Sequence, residues 1–189
     1  MEELEVKDIK FKMSRGMSPS GKRYEYNTLL IFQVENNKLE MGVGPKPYLR
    51  LKRLCGQELT SLEKVMESSI AETDTKKNLF TFFSHKFIQP KLEILFSEID
   101  KVVIDTILVR LAILGYYLQA SIYLINKHVI NNFDCGEAAV MAKVANKKIY
   151  VLKDILEKRD KFEIEKDKYQ RKVIREKEKR EELKRRIYG

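Results

Sequence analysis

The chain has 189 residues, of which 43% are hydrophobic and 10% aromatic, so it can bury a core as one domain or two small ones and is not wholly disordered. Lys and Arg number 37 against 28 Asp and Glu, and the net charge of +9 favours nucleic acid as a partner, with an anionic membrane surface second. Cys55 and Cys135 lie far apart and form no CxxC spacing, which excludes a disulfide scaffold and a zinc ribbon and favours a reducing compartment.

Neither the N-terminus nor the most apolar stretch carries a targeting or membrane signal. Residues 1–6 are acidic and lack the apolar run of a secretory signal and the Arg-rich composition of a transit peptide, so we expect any import presequence to be absent from this numbering. The most apolar stretch, 102–125, contains Asp105, Arg110 and Gln119, and its uncharged part is shorter than the ~20 residues that a bilayer needs. We therefore predict no membrane span.

The N-terminal part predicts three strands and a helix. The strands are predicted at residues 9–13, 24–34 and 39–43. In the first strand apolar residues alternate with lysines, so Lys10 and Lys12 share the outer face of a half-buried strand. Asn36 and Asn37 tolerate the positive φ that a two-residue hairpin turn needs. Apolar residues at helical spacing over 59–70 complete a β-β-β-α unit.

Residues 79–152 predict a second, smaller α/β unit after a polar linker at 74–78. Strands are predicted at 79–88, 92–96 and 117–125. A helix is predicted over 101–114, because Gly115 suits the residue that follows a helix. An Asn131–Asn132 turn is predicted to precede a short Ala-rich helix at 135–146.

Residues 153–189 predict a long, charged helix. This segment has no glycine or proline before its last residue and consists largely of strong helix formers, so at ~1.5 Å per residue it forms a rod roughly 50 Å long. Phe162, Tyr169 and Leu183 share a seven-residue spacing, but Glu176 interrupts this seam, which is too polar for a sustained coiled coil. We expect the helix to be solvated or laid along another molecule. The side chains available to face that molecule are Phe162, Tyr169, Val173 and Ile187.

Catalytic and metal-binding motifs are weak. Cys55, His85, His128 and Cys135 match no compact zinc-ligand spacing, and the chain has no glycine-rich phosphate loop, GxSxG or HExxH. We therefore predict no enzyme, catalytic residue, metal, cofactor or small-molecule substrate. An enzyme that uses Cys135 with His128 as its base is kept as the least favoured alternative.

The basic residues are concentrated near the two ends of the chain. Segment 10–53 has ten basic residues against three acidic ones, placed on a strand face, on a flexible loop and beyond the side-chain-free Gly42 and Gly44. Cations in such places suit the phosphates and riboses of structured RNA, although solvated surface lysines are the alternative explanation. The candidate RNA-binding residues are Lys10, Lys12, Arg15, Lys22, Arg23, Lys46, Arg50, Lys52, Arg53, Arg171, Lys172, Arg175, Lys179 and Arg180.

Five short motifs follow one another near the N-terminus in a fixed order. They are Ile9-Lys10-Phe11-Lys12, Ser20-Gly21-Lys22-Arg23-Tyr24, Leu29-Leu30-Ile31-Phe32, Asn36-Asn37-Lys38 and Met41-Gly42-Val43-Gly44-Pro45-Lys46. In this order they resemble the first domain of the small-subunit ribosomal protein S-five family, and a weaker likeness to its second domain runs through 86–148. The chain departs from the family at Glu35-Asn36-Asn37, at 95–100 and in its C-terminal helix.

The resemblance implies an α+β protein of three parts. These are a double-stranded-RNA-binding-like β-β-β-α domain (1–78), a second ribosomal-protein-like α+β domain (79–152) and a long charged helical extension (153–189). It further implies a structural constituent of the ribosome that binds rRNA and neighbouring small-subunit proteins and acts in translation. The eroded glycine loops and the Lys- and Ile-rich composition resemble organellar members, which implies the mitochondrial matrix.

Two alternatives stay open beside this interpretation. The protein could be a cytoplasmic ribonucleoprotein component. It could also be a protein-binding adaptor that docks through its C-terminal helix in a larger assembly, with a basic N-terminal unit that is merely soluble.

Overall fold

A computed structural model describes residues 2–17, 24–77, 96–110 and 115–188. The elements in chain order are β1 (Glu3–Met17), β2 (Tyr24–Val34), β3 (Asn37–Val43), α1 (Pro45–Leu54), α2 (Ser61–Lys77), β4 (Ile99–Arg110), β5 (Gly115–Leu124), β6 (Val129–Asp134), α3 (Cys135–Val144), β7 (Ile149–Leu152) and α4 (Lys153–Tyr188). The protein is a mixed α+β structure with a seven-stranded sheet and a long C-terminal helix, as the coarse prediction states.

The seven strands form one sheet in the order β3-β2-β1-β7-β4-β5-β6. The elements from β1 to α1 and those from β4 to α3 each follow the order β-β-β-α. The first set supplies the three strands at one end of the sheet, and the second set supplies the three strands at the other end. The short strand β7 lies between them, antiparallel to β1 and parallel to β4. Strands from both sides of the boundary predicted at residue 78 therefore belong to one sheet.

The two faces of the sheet differ in what covers them. In β1, Ile9 is buried while Lys10 and Lys12 are exposed, and the intervening Phe11 contacts Tyr48 of α1 edge to face, with ring centroids 5.5 Å apart. Because side chains alternate along a strand, α1 lies on the face opposite the two lysines. We call these the helix face and the outer face.

Helix α3 packs closely beside the first unit. Asp134 caps its start by accepting a hydrogen bond from the Glu137 backbone N–H (3.1 Å). At Gly136 a side chain would begin only 3.0 Å from Cγ1 of Val43, so glycine permits the close approach of α3 to the end of β3. The buried small side chains of this helix are Ala138, Ala139 and Ala142.

Tyr116 and Arg159 cover the free edge of β3. The Tyr116 hydroxyl donates to the backbone carbonyl of Glu40 (2.6 Å), and the Arg159 guanidinium donates to the carbonyl of Lys38. Burial, partly opposed by the Arg159 charge, raises the pKa of Tyr116 to about 12, so its hydroxyl keeps the proton it donates. Unpaired strand edges invite association, and here β5 and α4 satisfy part of this one.

The prediction of a helix over 101–114 is wrong, because β4 occupies Ile99–Arg110. Val102, Val103 and Ile104 are consecutive and all fully buried, as expected of a strand flanked on both edges and covered on both faces. A continuous apolar run of β-branched residues fits a buried strand and a buried helix equally well by periodicity alone.

The predicted turn at Asn131–Asn132 is also wrong, because both residues lie inside β6. Asn132 has φ of 64° where the pairing with β5 shifts register, so its positive φ forms a bulge. The hairpin between β2 and β3 turns at Glu35 and Asn36, one residue earlier than predicted, with Glu35 at φ of 51°.

Several other predictions are confirmed. The strands predicted at 9–13, 24–34, 39–43 and 117–125 and the helices predicted at 59–70, 135–146 and 153–189 all have counterparts. Helix α1 and strand β7 were not predicted. Pro45 and Pro47 stand in the first turn of α1, where a missing N–H costs nothing. The strand predicted at 79–88 lies outside the described residues, as does nearly all of the one at 92–96.

The C-terminal helix has two unlike parts. Ile155, Leu156 and Phe162 are buried, and Phe162 contacts Tyr116 edge to face with ring centroids 5.6 Å apart. The prediction that Phe162 faces a partner is therefore wrong, because it belongs to the core. From 167 to 185 every residue is exposed. The first turns of α4 belong to the folded body, and the rest projects from it.

This division predicts different outcomes for two truncations. Deleting 168–189 removes exposed residues and should shift the thermal midpoint little. Deleting 154–189 removes three buried side chains, each worth ~2–5 kcal/mol, which together approach the whole stability of a domain. Circular dichroism melting should show a cooperative transition for the shorter deletion and none for the longer. Equal melting curves would contradict the assignment of Phe162 to the core.

Candidate nucleic-acid interface

The outer face of β1, β2 and β3 carries the first group of predicted cations. Lys12 pairs in register with Leu29, which pairs with Gly42, and Lys10 pairs with Ile31 in the adjoining row. Both lysines are exposed. A Cβ atom placed on Gly42 would have no neighbouring atom within 4 Å, so this row ends in bare, open backbone. The row of Lys10 and Ile31 ends at exposed Glu40, whereas the row of Lys12 has no acidic residue. Two ammonium groups beside bare backbone can approach a phosphate-ribose backbone closely.

Backbone geometry does not require glycine at positions 42 and 44. Among the described glycines Gly56 has a positive φ, of 69°, whereas Gly44 has an extended conformation with φ of −64° and ψ of 153°. Gly42 lies within the regular pairing of β2 and β3. The lack of a side chain at 42 thus affects the surface of the sheet and not its conformation.

A lysine-tyrosine cluster lies at the centre of the sheet, and sequence reasoning missed it. The Lys101 ammonium is 2.6 Å from a Glu3 carboxylate oxygen and lies 5.0 and 5.6 Å from the ring centroids of Tyr123 and Tyr150. The hydrogen bond to Glu3 raises the pKa of Lys101. Glu3 and Lys101 are 98 residues apart, so no local pattern could reveal the pair. Because Glu3 neutralises Lys101, this region attracts phosphate less than the rows of Lys10 and Lys12 do.

The cations of α1 lie on the opposite side of the sheet from Lys10 and Lys12. Lys46, Arg50 and Arg53 follow one another at helical spacing along an exposed side of α1. Arg53 forms an ion pair with Glu67 of α2 at 2.8 Å. A single flat RNA surface cannot contact α1 and the outer face together.

A largely apolar cleft of about 510 Å³ opens beside the start of α1. Its walls include Tyr26, Pro47 and Met66, and Lys46 lies on its rim. The guanidinium of Arg15 lies 6.0 Å from the centroid of the Tyr26 ring. The structure thus places Lys46 at the cleft and Arg15 beside Tyr26, which lines it.

Lys52 is not available to RNA, and its assignment as a binding residue is wrong. It is 7% exposed, and its ammonium lies 2.7 Å from both carboxylate oxygens of Glu63. The Tyr48 hydroxyl donates to the same carboxylate at 2.6 Å. Lys52 lies between exposed Arg50 and exposed Arg53 in the sequence. The composition of this basic run therefore does not show which of its cations is buried.

Glu63 joins α1 to the start of α2. It accepts a hydrogen bond from the Thr60 backbone N–H (2.7 Å), while the Thr60 hydroxyl accepts one from the Glu63 N–H (3.3 Å), which together form a capping box. Burial alone would raise the pKa of Glu63, but the hydrogen bonds from Lys52, Tyr48 and Thr60 outweigh burial and lower it to about 2. The same network, after burial, raises the pKa of Tyr48.

Lys52→Ala should destabilise the fold far more than Arg53→Ala. Removing Lys52 leaves a buried carboxylate unpaired, which costs ~3–5 kcal/mol, whereas exposed pairs such as Arg53–Glu67 are worth ~0.2–1 kcal/mol. Urea denaturation of both variants measures the difference. Similar losses of stability would contradict a structural role that is particular to Lys52.

The Glu63 network also predicts a dependence of stability on pH. Because folding lowers the pKa of Glu63, its contribution is fully present above the unfolded value of ~4.3 and is lost as pH falls towards about 2. Between pH 4.5 and 2 the native protein should lose ~3 kcal/mol that Glu63→Gln, already weaker at pH 7, does not lose. Parallel stability curves for the two proteins over this range would contradict the assignment.

The cations of the C-terminal helix form a stripe along one side. Lys168, Arg171, Lys172, Arg175 and Lys179 line a shallow groove and are all exposed. Their spacing of three or four residues places them on one side of the helix. Of the predicted residues, Arg180 lies outside this stripe, because it follows Lys179 directly and is rotated by ~100° around the helix.

The remaining candidates have simple outcomes. Lys22 and Arg23 lie outside the described residues. Cys135 is fully buried, and burial, followed by the charge of Asp134, raises the pKa of its thiol. Within the described ranges, no three His, Cys, Asp or Glu side chains are grouped so that they could hold a metal ion. In those same ranges no helix is long and apolar enough to cross a membrane.

The chain matches no protein family model, and no curated protein is significantly similar to it. Its function must therefore be inferred from the positions of these residues.

Proposed function

We propose that the protein is a structural RNA-binding component of a ribonucleoprotein particle. The outer face of β1 to β3 carries this proposal, because Lys10 and Lys12 are exposed there beside the bare backbone of Gly42. A second contact is provided by the stripe of exposed cations on α4. Both surfaces offer charge to a phosphate backbone without the donor and acceptor patterns that identify bases.

The small ribosomal subunit is the particle that we propose. The succession β1-β2-β3-α1 supports a double-stranded-RNA-binding-like N-terminal unit, and the motif order that resembles the S-five family supports rRNA and neighbouring small-subunit proteins as partners. The mitochondrial ribosome, acting in translation, is the form that this resemblance favours. Co-sedimentation of the tagged protein with ribosomal particles from a native lysate tests the assignment, and a protein that remains in the light fractions would contradict it.

Lys10→Glu with Lys12→Glu should lower the affinity for a fluorescein-labelled RNA hairpin at least ten-fold. Reversing two charges turns attraction into repulsion and should also reduce the slope of log affinity against log salt. The matched control is Lys64→Glu with Lys143→Glu, which makes the same change in net charge at exposed positions on α2 and α3. Equal losses in both variants would mean that net charge alone governs binding.

Gly42→Val tests the same surface without changing charge. The added side chain meets no neighbour in the folded protein and suits a strand, so the thermal midpoint should not fall. It should weaken RNA binding by blocking close approach. Unchanged RNA affinity with an unchanged fold would remove Gly42 from the interface.

The adaptor function is a second candidate, which one observation favours. Tyr169, Val173 and Leu183 of α4 are large apolar side chains between 45% and 59% exposed. RNA phosphates gain nothing from such a surface, whereas a protein helix does.

A further inference from the structure

The apolar side of α4 continues beyond the body of the protein. Phe162 is buried against Tyr116, and Tyr169 and Val173 follow it at intervals of seven and four residues, on the same side of the helix. Leu183 extends the line after two polar positions, Glu176 and Arg180. We call Tyr169, Val173 and Leu183 the distal seam. On this side of the helix, Phe162 is buried in the core, whereas the side chains from Tyr169 onwards are exposed to solvent.

Four lysines border the distal seam, two on each side, and one of them, Lys184, also lies 3.6 Å from the Glu181 carboxylate of its own helix. Lys172 and Lys179 precede seam positions, and Lys177 and Lys184 follow them, so these four stand where helices in a pair exchange charge contacts. All four are exposed. An apolar stripe with cationic borders is complementary to a helix with an apolar stripe and acidic borders.

A second copy of the chain does not meet this requirement. Pairing two α4 helices, parallel or antiparallel, would place lysines beside lysines along both borders, and like charges at such positions are destabilising. The bordering lysines exclude the second copy, whereas Glu176 and Arg180 do not, because an antiparallel self-pair can place them opposite each other. In a pair with a different helix these two positions could meet opposite charges and fix the register.

Three cations of the stripe lie on a different side of the same helix from the distal seam. Lys168, Arg171 and Arg175 are rotated from the seam by about a third of a turn, and we assign these three to RNA, whereas Lys172 and Lys179, which line the same groove, border the seam. An apolar seam offers nothing to phosphates, whereas a helix that projects into water gains lasting order when its apolar side is covered.

We infer that the distal seam of α4 docks an amphipathic helix of another protein, with apolar residues against Tyr169, Val173 and Leu183 and Glu or Asp opposite the four bordering lysines. This interaction goes beyond the proposed RNA binding and does not depend on it. It makes α4 a connector, with RNA on one side and a protein on another.

Two synthetic helical peptides test the proposal on the full-length protein. Both carry leucines at seam positions, one with glutamates and the other with lysines at the bordering positions. Fluorescence anisotropy should show that the acidic peptide binds at least ten-fold more tightly than the basic one, with the difference shrinking as salt rises. Equal binding of the two peptides, or no binding of either, would overturn the proposal.

Two pairs of substitutions locate the binding. Tyr169→Ala with Val173→Ala should weaken the acidic peptide at least ten-fold. Ile164→Ala with Ile174→Ala is the matched control, because both isoleucines are 56% exposed and lie off the seam, and it should change affinity less than two-fold. All four residues are exposed, so circular dichroism should show both variants folded. Equal losses in the two variants would overturn the assignment to the seam.

Charge reversal and two further readouts complete the test. Lys177→Glu with Lys184→Glu leaves two lysines and two glutamates at the borders and should abolish the preference for the acidic peptide, whereas Lys168→Glu with Arg175→Glu should not. If the full-length protein binds neither peptide and Tyr169→Ala with Val173→Ala loses binding to the RNA hairpin, the seam contacts RNA and the proposal is overturned. Sedimentation equilibrium that shows a dimer lost on Tyr169→Ala with Val173→Ala would assign it to a second copy and overturn it equally. Lys10→Glu with Lys12→Glu should leave peptide affinity unchanged, which separates this proposal from the proposed function.

Discussion

The pairing of β7 with both β1 and β4 is the constraint on which the rest of the structure depends. Glu3, Leu4 and Glu5 pair with one edge of β7, and Val102, Val103 and Ile104 pair with the other. These few residues join two β-β-β-α successions into one sheet. They also fix where α4 begins, because Lys153 follows β7 directly and its N–H donates to the carbonyl of Glu2. The first and last parts of the chain are thus held together at the centre of the fold.

Anchoring of α4 at this point determines which of its side chains can act on other molecules. Its first turns fill the space beside β5 and cover the edge of β3 through Arg159. The remaining length leaves the body with the distal seam on one side and Lys168, Arg171 and Arg175 on another. A rod fixed at one end presents these sides in a constant direction relative to the outer face of the sheet. This arrangement is the one that the proposed RNA binding and the proposed helix docking require.

The cations divide into structural and surface groups that composition does not distinguish. Lys52 holds Glu63 in the interior between α1 and α2, and Lys101 neutralises Glu3 at the centre of the sheet. Lys10 and Lys12 carry exposed charge on the outer face, and Lys46 and Arg50 carry it beyond the opposite face. The net charge of +9 is therefore spread over several surfaces rather than gathered in one patch.

The sequence by itself determined the elements whose signals are local. Alternation in 9–13 fixed which side of β1 carries Lys10 and Lys12, and the run of helix formers after 153 fixed α4, because each pattern depends on neighbours within a few residues. Tertiary structure decided the rest. Val102, Val103 and Ile104 form a strand because β7 and β5 lie on either side of them. Phe162 is part of the core because Tyr116 lies beside it. Lys52 is buried because Glu63 of α2 packs back onto α1. In each case the deciding partner is distant in sequence or on another element, and local periodicity carries no information about it.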